Sequence, residues 1–162
     1  PLLAAALQGQ DMGLISEAGM PAVADPGSSV VRAAHALGIE VVPLVGPVSI
    51  LLALAASGLN GQSFAFVGYV PQEAAARAQR LRELEAWARK SGQTQLFIET
   101  PYRNATLLQA LLHELQATTQ LAVCQGVTLP QARCTSRSVA EWRRAMPAPA
   151  ALAMPAVYAI GR

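Results

Sequence analysis

Residues 15–49 read ISEAGMPAVADPGSSVVRAAHALGIEVVPLVGPVS, and the reading of this stretch decides the fold. A short apolar run, Met12–Ile15, leads into a loop of Gly, Pro and small residues, Ser16–Gly27. A helix-period segment follows, then a β-branched run over Glu40–Val45 and a second turn at Gly46 and Pro47. The order is strand, loop, helix, strand, loop, helix, with the special backbone residues gathered in the loops after the two strands. In parallel α/β sheets ligands bind beyond the carboxyl ends of the strands, so a site is expected in these loops. Gly19 and Gly27 let backbone approach a ligand closely, while Pro21 and Pro26 stiffen the loop and remove donors. The loop is longer than the roughly 2–6 residues usual between such elements, and long ordered loops tend to be functional.

Working outward, Leu2–Leu7 reads as the end of a helix stopped by Gly9, and Met12–Ser16 as a short buried strand. Ser28 or Ser29 opens a helix whose stripe is Val30, Val31, Ala34 and Leu37, ended by Gly38. Glu40–Val45 reads as a strand apolar on both faces, parallel to Met12–Ile15, and Pro47 starts a helix running to Gly58. The segment SGLNGQS, Ser57–Ser63, is small, polar and without period, which places a domain boundary there: residues 1–60 and 61–162. Phe64–Val67 opens a second sheet, and Gln72–Lys90 reads as an amphipathic helix with Leu81, Leu84 and Trp87 on one face. Strands at Gln95–Glu99, Leu121–Gln125 and Ala156–Ile160 follow, with a helix Ala105–Gln116 capped by Asn104. Val127–Ser138 reads as a hairpin or irregular loop, Val139–Met146 as a short helix and Pro147–Pro155 as a linker. The alternation of strand and helix makes the chain α/β in both lobes.

Composition narrows the function classes. With 52% hydrophobic and 14% charged residues over 162 positions, the chain can bury a core and is not a disordered segment. A net charge of +2 permits a nucleic-acid partner without a dense Lys/Arg run to announce one. No charge occurs from Val41 to Gln72, yet Pro43, Gly46, Pro47, Gly58, Asn60 and Gly61 break the run. Its helical part is about half of the ~20 residues a bilayer needs, so the expectation is a buried core helix and no membrane. Cys124 and Cys134 have no His/Cys cluster around them, so no metal site is expected. Without a secretion signal they read as free thiols of a cytoplasmic protein.

Glu17, Asp25, Glu99 and Arg103 are the ionisable residues in site-like loops. Glu99, at a strand end four residues before Arg103, suits orienting or deprotonating a hydroxyl, with Arg103 steering phosphate or carboxylate. The alternative is a structural ion pair pinning the Thr100–Pro101 turn. Asp25 reads as a turn or N-cap residue beside Ser28. His35 and His113 sit in helical patterns without a triad-like neighbour, and no serine lies in a G-x-S-x-G setting. Arg77, Arg80, Arg82, Arg89 and Lys90 bias one helix toward positive charge; Glu73, Glu83 and Glu85 interleave with them. That helix is either a solvated face or a surface for RNA phosphates.

Four segments carry a family resemblance. SEAGMPAVADPG and VVPLVGPVSILLALAASGL resemble the S-D-A-G-x-P-x-x-x-D-P-G and V-V-P-x-P-G-P motifs of the tetrapyrrole (corrin/porphyrin) methylase superfamily. FVGYVPQ and FIETPYRN are similar to the G-F-L-P and F-Y-E-S-P-H-R segments of its small-subunit ribosomal RNA 2′-O-ribose methyltransferase branch. Glu17, Val45 and Tyr102 depart from that branch's Asp, Pro and His. The resemblance implies a two-lobed α/β fold: a parallel-sheet first lobe of which the chain holds only the later part, and a second lobe with a mixed sheet. It implies an S-adenosyl-L-methionine-dependent methyltransferase acting on an rRNA ribose hydroxyl or a tetrapyrrole. The alternative is a non-catalytic interaction module keeping the same fold. In the family the cofactor lies folded between the lobes, which carries Gly19, Met20, Pro21, Val23, Val48 and Ser49 over as cofactor-loop residues. From the second lobe it carries over Phe97, Ile98, Cys124, Gln125, Pro155 and Ala156. Glu99 and Arg103 are the catalytic candidates. Apolar surface left open by a shortened first lobe favours association, a homodimer being the simplest form.

Overall fold

The computed structural model describes residues 2–17 and 19–162; Pro1 of the opening segment and Ala18 of the SEAGMP motif lie outside the described residues. The chain divides into two compact units, Pro1–Val48 and Ser49–Arg162.

In the first unit a single turn of 3-10 helix, Ala6–Gln8, ends at Gly9, and helix α1 spans Ser28–Ala36. Gly27 is the N-cap of α1 and no side chain caps it, so Asp25 does not serve there. Neither Met12–Ile15 nor Glu40–Val45 forms a strand, which corrects the parallel first-lobe sheet expected above. Ile15 is 90% exposed and Val45 fully so. Two runs of this length could at most pair with each other, and a lone two-stranded ladder is marginal in water. The β-branched residues of Glu40–Val45 record a preference for a half-buried pleated surface, not a backbone state that holds alone, and Met12–Ile15 has only Ile15 of that kind.

The second unit is built on one sheet. Helix α2 (Ser49–Ser57) leads to β1 (Phe64–Phe66), α3 (Ala74–Ser91), β2 (Thr94–Glu99), α4 (Asn104–Glu114), β3 (Gln120–Gln125), β4 (Arg133–Ser138), α5 (Val139–Arg144) and β5 (Ala156–Gly161). Strand order is β1-β2-β5-β3-β4. β1 and β2 are parallel, while β5 runs antiparallel to both β2 and β3, and β4 antiparallel to β3. The last strand of the chain thus sits inside the sheet, with all six of its residues buried. One face carries the main core: Phe97, Leu121, Val123, Tyr158 and Ile160 pack with Leu81 and Leu84 of α3 and Leu107, Leu108 and Leu111 of α4. Helix α2 packs on β3, β4 and β5. That packing draws α2 into the second unit, so the division falls ahead of it. Ser57–Ser63 becomes a turn held by Ser57 and Asn60: Leu59 N donates to Ser57 Oγ and Gln62 N to Asn60 Oδ1.

Local chemistry explains the helices. Glu73 caps α3 by accepting from Ala75 N and Ala76 N, and Gly92, at φ 72°, ends it. On α3 the buried residues are Leu81, Leu84, Glu85 and Ala88, while Trp87 is half exposed and donates to Gln93 Oε1 at 3.0 Å. This corrects the expected Trp87 face: six residues beyond Leu81, it lies well round the helix from the buried stripe. α5 opens with a Ser138/Glu141 capping box, and Trp142 seals its inner side by donating to Leu121 O at 2.8 Å. Among the described residues no helix is long and apolar enough to cross a membrane, and no cluster of metal-ligating side chains occurs.

The expectation of free thiols is also corrected. The β3–β4 register places Cys124 opposite Cys134 with Cα atoms 4.0 Å apart, and the two sulfurs are bonded. Composition alone does not reveal a cross-strand pair. It follows from the hairpin that turns between them.

Burial separates the two units in a way mutation can read. Leu108→Ala, at a wholly buried core position, is expected to cost about 2–5 kcal/mol in urea unfolding of this chain. Val45→Ala is expected to stay within about 0.5 kcal/mol of the parent. A Val45 cost matching that of Leu108 would mean the run is a buried strand after all.

Candidate active site

Because β5 is antiparallel to both β2 and β3, its first residues lie beside their last ones. Ala156 is registered with Glu99 on one side and Gln125 on the other, and Val157 with Ile98 and Cys124. Residues scattered along the sequence from 98 to 156 therefore form two adjacent ranks at one end of the sheet. Pro155 adjoins them, its carbonyl accepting from Gly126 N at 3.0 Å. Gly126 is there because nothing larger fits easily: at φ +56°, a Cβ would stand 2.7 Å from Met154 Sδ. Phe97 lies one step further in, wholly buried and stacked on Tyr158 with ring centroids 5.6 Å apart. Its side chain belongs to the core, which leaves only its backbone for a ligand.

The loop after β2 is fastened by Glu99. Its carboxylate has no exposed surface; Oε1 accepts from Thr100 N at 2.8 Å and from Thr100 Oγ1 at 3.1 Å. Oε2 lies 3.0 Å from Arg103 Nη2, an ion pair off hydrogen-bond alignment. A turn of 3-10 helix, Pro101–Arg103, then carries Tyr102 outward, where it is 82% exposed. Asn104 does not cap α4 as expected. It is the first helical residue, wholly buried, and its amide donates to Leu152 O at 3.0 Å and Met154 O at 2.7 Å. Tyr158 donates to Asn104 Oδ1 at 3.1 Å. Burial, and secondarily the Glu99 charge, push the Tyr158 phenol well above its ordinary range, so it stays a donor. The asparagine thus locks the β2 loop to the segment that enters β5. Sequence reasoning missed this lock, although Asn104 closes the FIETPYRN segment and Tyr158 is the one polar-tipped residue in an apolar strand.

Beside this loop the chain after β1 turns at Gly68, whose carbonyl accepts from Ile98 N at 3.0 Å. Val70 is buried there and Tyr69 is 59% exposed. Tyr69, Val70, Pro71, Gln72, Glu99, Thr100, Tyr102 and Arg103 line an open depression of about 500 Å³. Gln125 Oε1, in the rank with Glu99, is buried and has no hydrogen-bond partner.

Gly19, Met20, Pro21, Val23 and Val48 belong to the first unit, and Ser49 begins α2 of the second. The Ser16–Gly27 loop is tightly folded on itself. Gly19 (φ +82°), Ala22 (φ 66°) and Ala24 (φ 60°) all take left-handed backbone, and Ala22 N donates to Pro26 O. Left-handed alanines are uncommon, and such strain gathers at ligand sites. Beneath them, a Cβ on Gly27 would meet Leu14 Cδ2 at 3.0 Å and Ala22 N at 3.1 Å. Asp25 Oδ2 lies 3.8 Å from where a Gly19 Cβ would stand.

The arginine-biased helix is less available than its composition suggests. Arg80 pairs with Glu83, Arg82 with Glu114, and Arg89 bonds Thr118, while Arg77 donates to Gln72 O at 2.7 Å.

A mixed sheet that gathers a fixed guanidinium and an unsatisfied amide oxygen at its strand ends defines a class by its fold: an α/β protein with its special polar groups collected at one end of the sheet. The sequence pattern of the tetrapyrrole (corrin/porphyrin) methylases matches residues 2–142, and the chain belongs to that family. A "Ribosomal RNA small subunit methyltransferase I" of Vibrio cholerae is 36% identical over 75% of this chain and 41% of its own length. One of Pseudomonas aeruginosa is 44% identical over 64% of this chain and 34% of its own. The crystal structure of the methyltransferase CobJ shares the fold, with a TM-score of 0.62 at 22% identity, covering 99% of this chain and 68% of that one. The chain spans about two fifths or less of the length of these curated relatives.

If Asn104 is the lock, Asn104→Ala leaves the Leu152 and Met154 carbonyls short of a donor, while the Tyr158 hydroxyl keeps only the Asn104 backbone carbonyl at 3.3 Å. The expected cost is about 2–4 kcal/mol in denaturant unfolding, from ~1–3 kcal/mol per unsatisfied buried group. Tyr158→Phe should cost less. Equal, near-zero effects would show that water replaces the amide without loss.

Proposed function

We propose that this chain is part of an S-adenosyl-L-methionine-dependent methyltransferase that modifies a ribose hydroxyl of small-subunit ribosomal RNA. The observation that carries the reading is the sheet end itself, where Arg103 is ion-paired to the buried Glu99 and Gln125, in the same rank as Glu99, keeps an unsatisfied amide oxygen, in a chain whose relatives at 36–44% identity are named for that RNA. The solved structures support the fold only. As domains we take 1–60 and 61–162, with α2 in the first by chain order although it packs on the sheet of the second.

The residues fit the cofactor. Gln125 Oε1 would accept from the exocyclic amine of an adenine, with Ile98, Cys124, Pro155 and Ala156 forming the surrounding rank. When bound, S-adenosylmethionine supplies a methyl already activated on sulfonium, so the protein's task is to aim the acceptor oxygen and exclude competing water. Arg103 suits the aiming: its unengaged N–H groups face an acceptor's phosphate or hydroxyl oxygen. Glu99, without exposed surface, acts as a positioning residue that fixes the guanidinium. The proton of the acceptor hydroxyl then leaves to water. Ribosomal RNA as partner implies a cytoplasmic protein, and we propose a homodimer for it.

The test incubates the intact protein and methyl-labelled cofactor with small ribosomal particles, free small-subunit rRNA and a uroporphyrinogen-type tetrapyrrole in parallel. Label in alkali-resistant dinucleotides is expected, since a 2′-O-methyl group blocks alkaline cleavage. Label in the tetrapyrrole alone would overturn the RNA reading, and label nowhere would favour a non-catalytic module. Arg103→Ala should lower kcat/KM about 10–150-fold, the worth of a ~1.5–3 kcal/mol charged hydrogen bond, with cofactor affinity unchanged.

A further inference from the structure

The two exposed tyrosines are unused by the reaction as described, and they face one depression. Their positions are imposed by the fold. Val70 turns into the core at 2% exposed, so its neighbour Tyr69 must turn out. Glu99 and Asn104 fasten both ends of the Thr100–Arg103 turn, leaving Tyr102 nowhere to pack. Exposed aromatic rings flanking one depression offer flat apolar faces on which a planar ligand can stack.

Resting on the RNA reading above, we infer that the Tyr69–Tyr102 depression is the subsite for an unpaired RNA base, stacked on a tyrosine ring beside the Arg103 guanidinium. The volume, about 500 Å³, lies within the ~300–1,000 Å³ range of small-ligand sites. Bases of single-stranded RNA are read by stacking on aromatic rings and on arginine, a mode that tolerates sequence. A tetrapyrrole with several carboxylates would want several cations here. The lining supplies one, Arg103, and Glu99 already neutralises it. The α3 N-terminus behind Gln72 is no anion site, because the Glu73 carboxylate occupies its free amides. Stacking, not charge, therefore dominates the subsite.

The experiment uses the intact protein and a single-stranded RNA oligonucleotide carrying 2-aminopurine, whose fluorescence falls when it stacks. Binding should quench it, and Tyr69→Ala or Tyr102→Ala should each weaken RNA binding about 5–150-fold, as for loss of one base–aromatic stack. Tyr69→Phe and Tyr102→Phe should bind like the parent. Calorimetric cofactor affinity, unchanged in all four variants, shows that the fold survives. Parent-like RNA affinity in both alanine variants overturns the subsite, as does binding without quenching, even if methyl transfer to RNA proceeds. Conversely, tyrosine-dependent quenching without methyl transfer keeps the subsite and removes the proposed reaction. Tyrosine-dependent binding of the tetrapyrrole in place of RNA overturns the inference.

Discussion

The site depends on one constraint: β5 lies antiparallel between two strands, β2 and β3, that themselves run the same way. Only this arrangement sets the start of the last strand against the ends of two earlier ones. It gathers Glu99, Ala156 and Gln125 into one rank without any of the three touching its sequence neighbours in the others. The fully buried β5 cannot slip in register, because a one-residue shift would exchange Tyr158 and Ile160 with residues of the opposite face. The core thereby determines where the functional groups stand.

The second lock is polar. A buried carboxylate is costly unless its oxygens find partners. Glu99 finds them in its immediate downstream neighbours, so its burial converts a flexible strand exit into a fixed turn. Asn104 then ties that turn to the segment before β5, adding a link about fifty residues long in sequence. Hydrophobic packing fixes the strands and hydrogen bonds fix the loops.

Much of the second unit was legible from residues alone. The strands at Gln95–Glu99, Leu121–Gln125 and Ala156–Ile160 have apolar centres, and the amphipathic segment Gln72–Lys90 overlaps α3 along all but its last residue. The first unit was not, because the apolar run Met12–Ile15 and the β-branched run Glu40–Val45 suit a strand in composition yet form no ladder. The Trp87 face was misjudged by treating a helix stripe as wider than its geometry. The disulfide and the Asn104 lock share a reason for going unread: each joins residues distant in sequence, the first through the β3–β4 register and the second between α4 and the segment before β5, and tertiary contacts of that kind are not encoded in a local pattern. Glu99 and Arg103 were legible as a pair through their four-residue spacing. Their distinct roles depend on burial, which spacing does not state.

These differences suggest a division of labour in the fold. Backbone geometry, in the left-handed Gly19–Ala24 loop and the ranks at the sheet end, is insensitive to most side-chain changes. A structure only 22% identical can therefore share the frame. Under the proposed reaction, acceptor selection would reside where side chains project from that frame without structural duty. In the second unit Tyr69 and Tyr102 meet that description beside the proposed centre: both are exposed, and neither belongs to the core cluster. Tyr102 also stands where the rRNA branch it resembles carries histidine, another flat ring able to stack on a base. The substitution changes the ring and keeps the platform, which is the kind of change a stacking subsite tolerates and a proton-transfer residue does not.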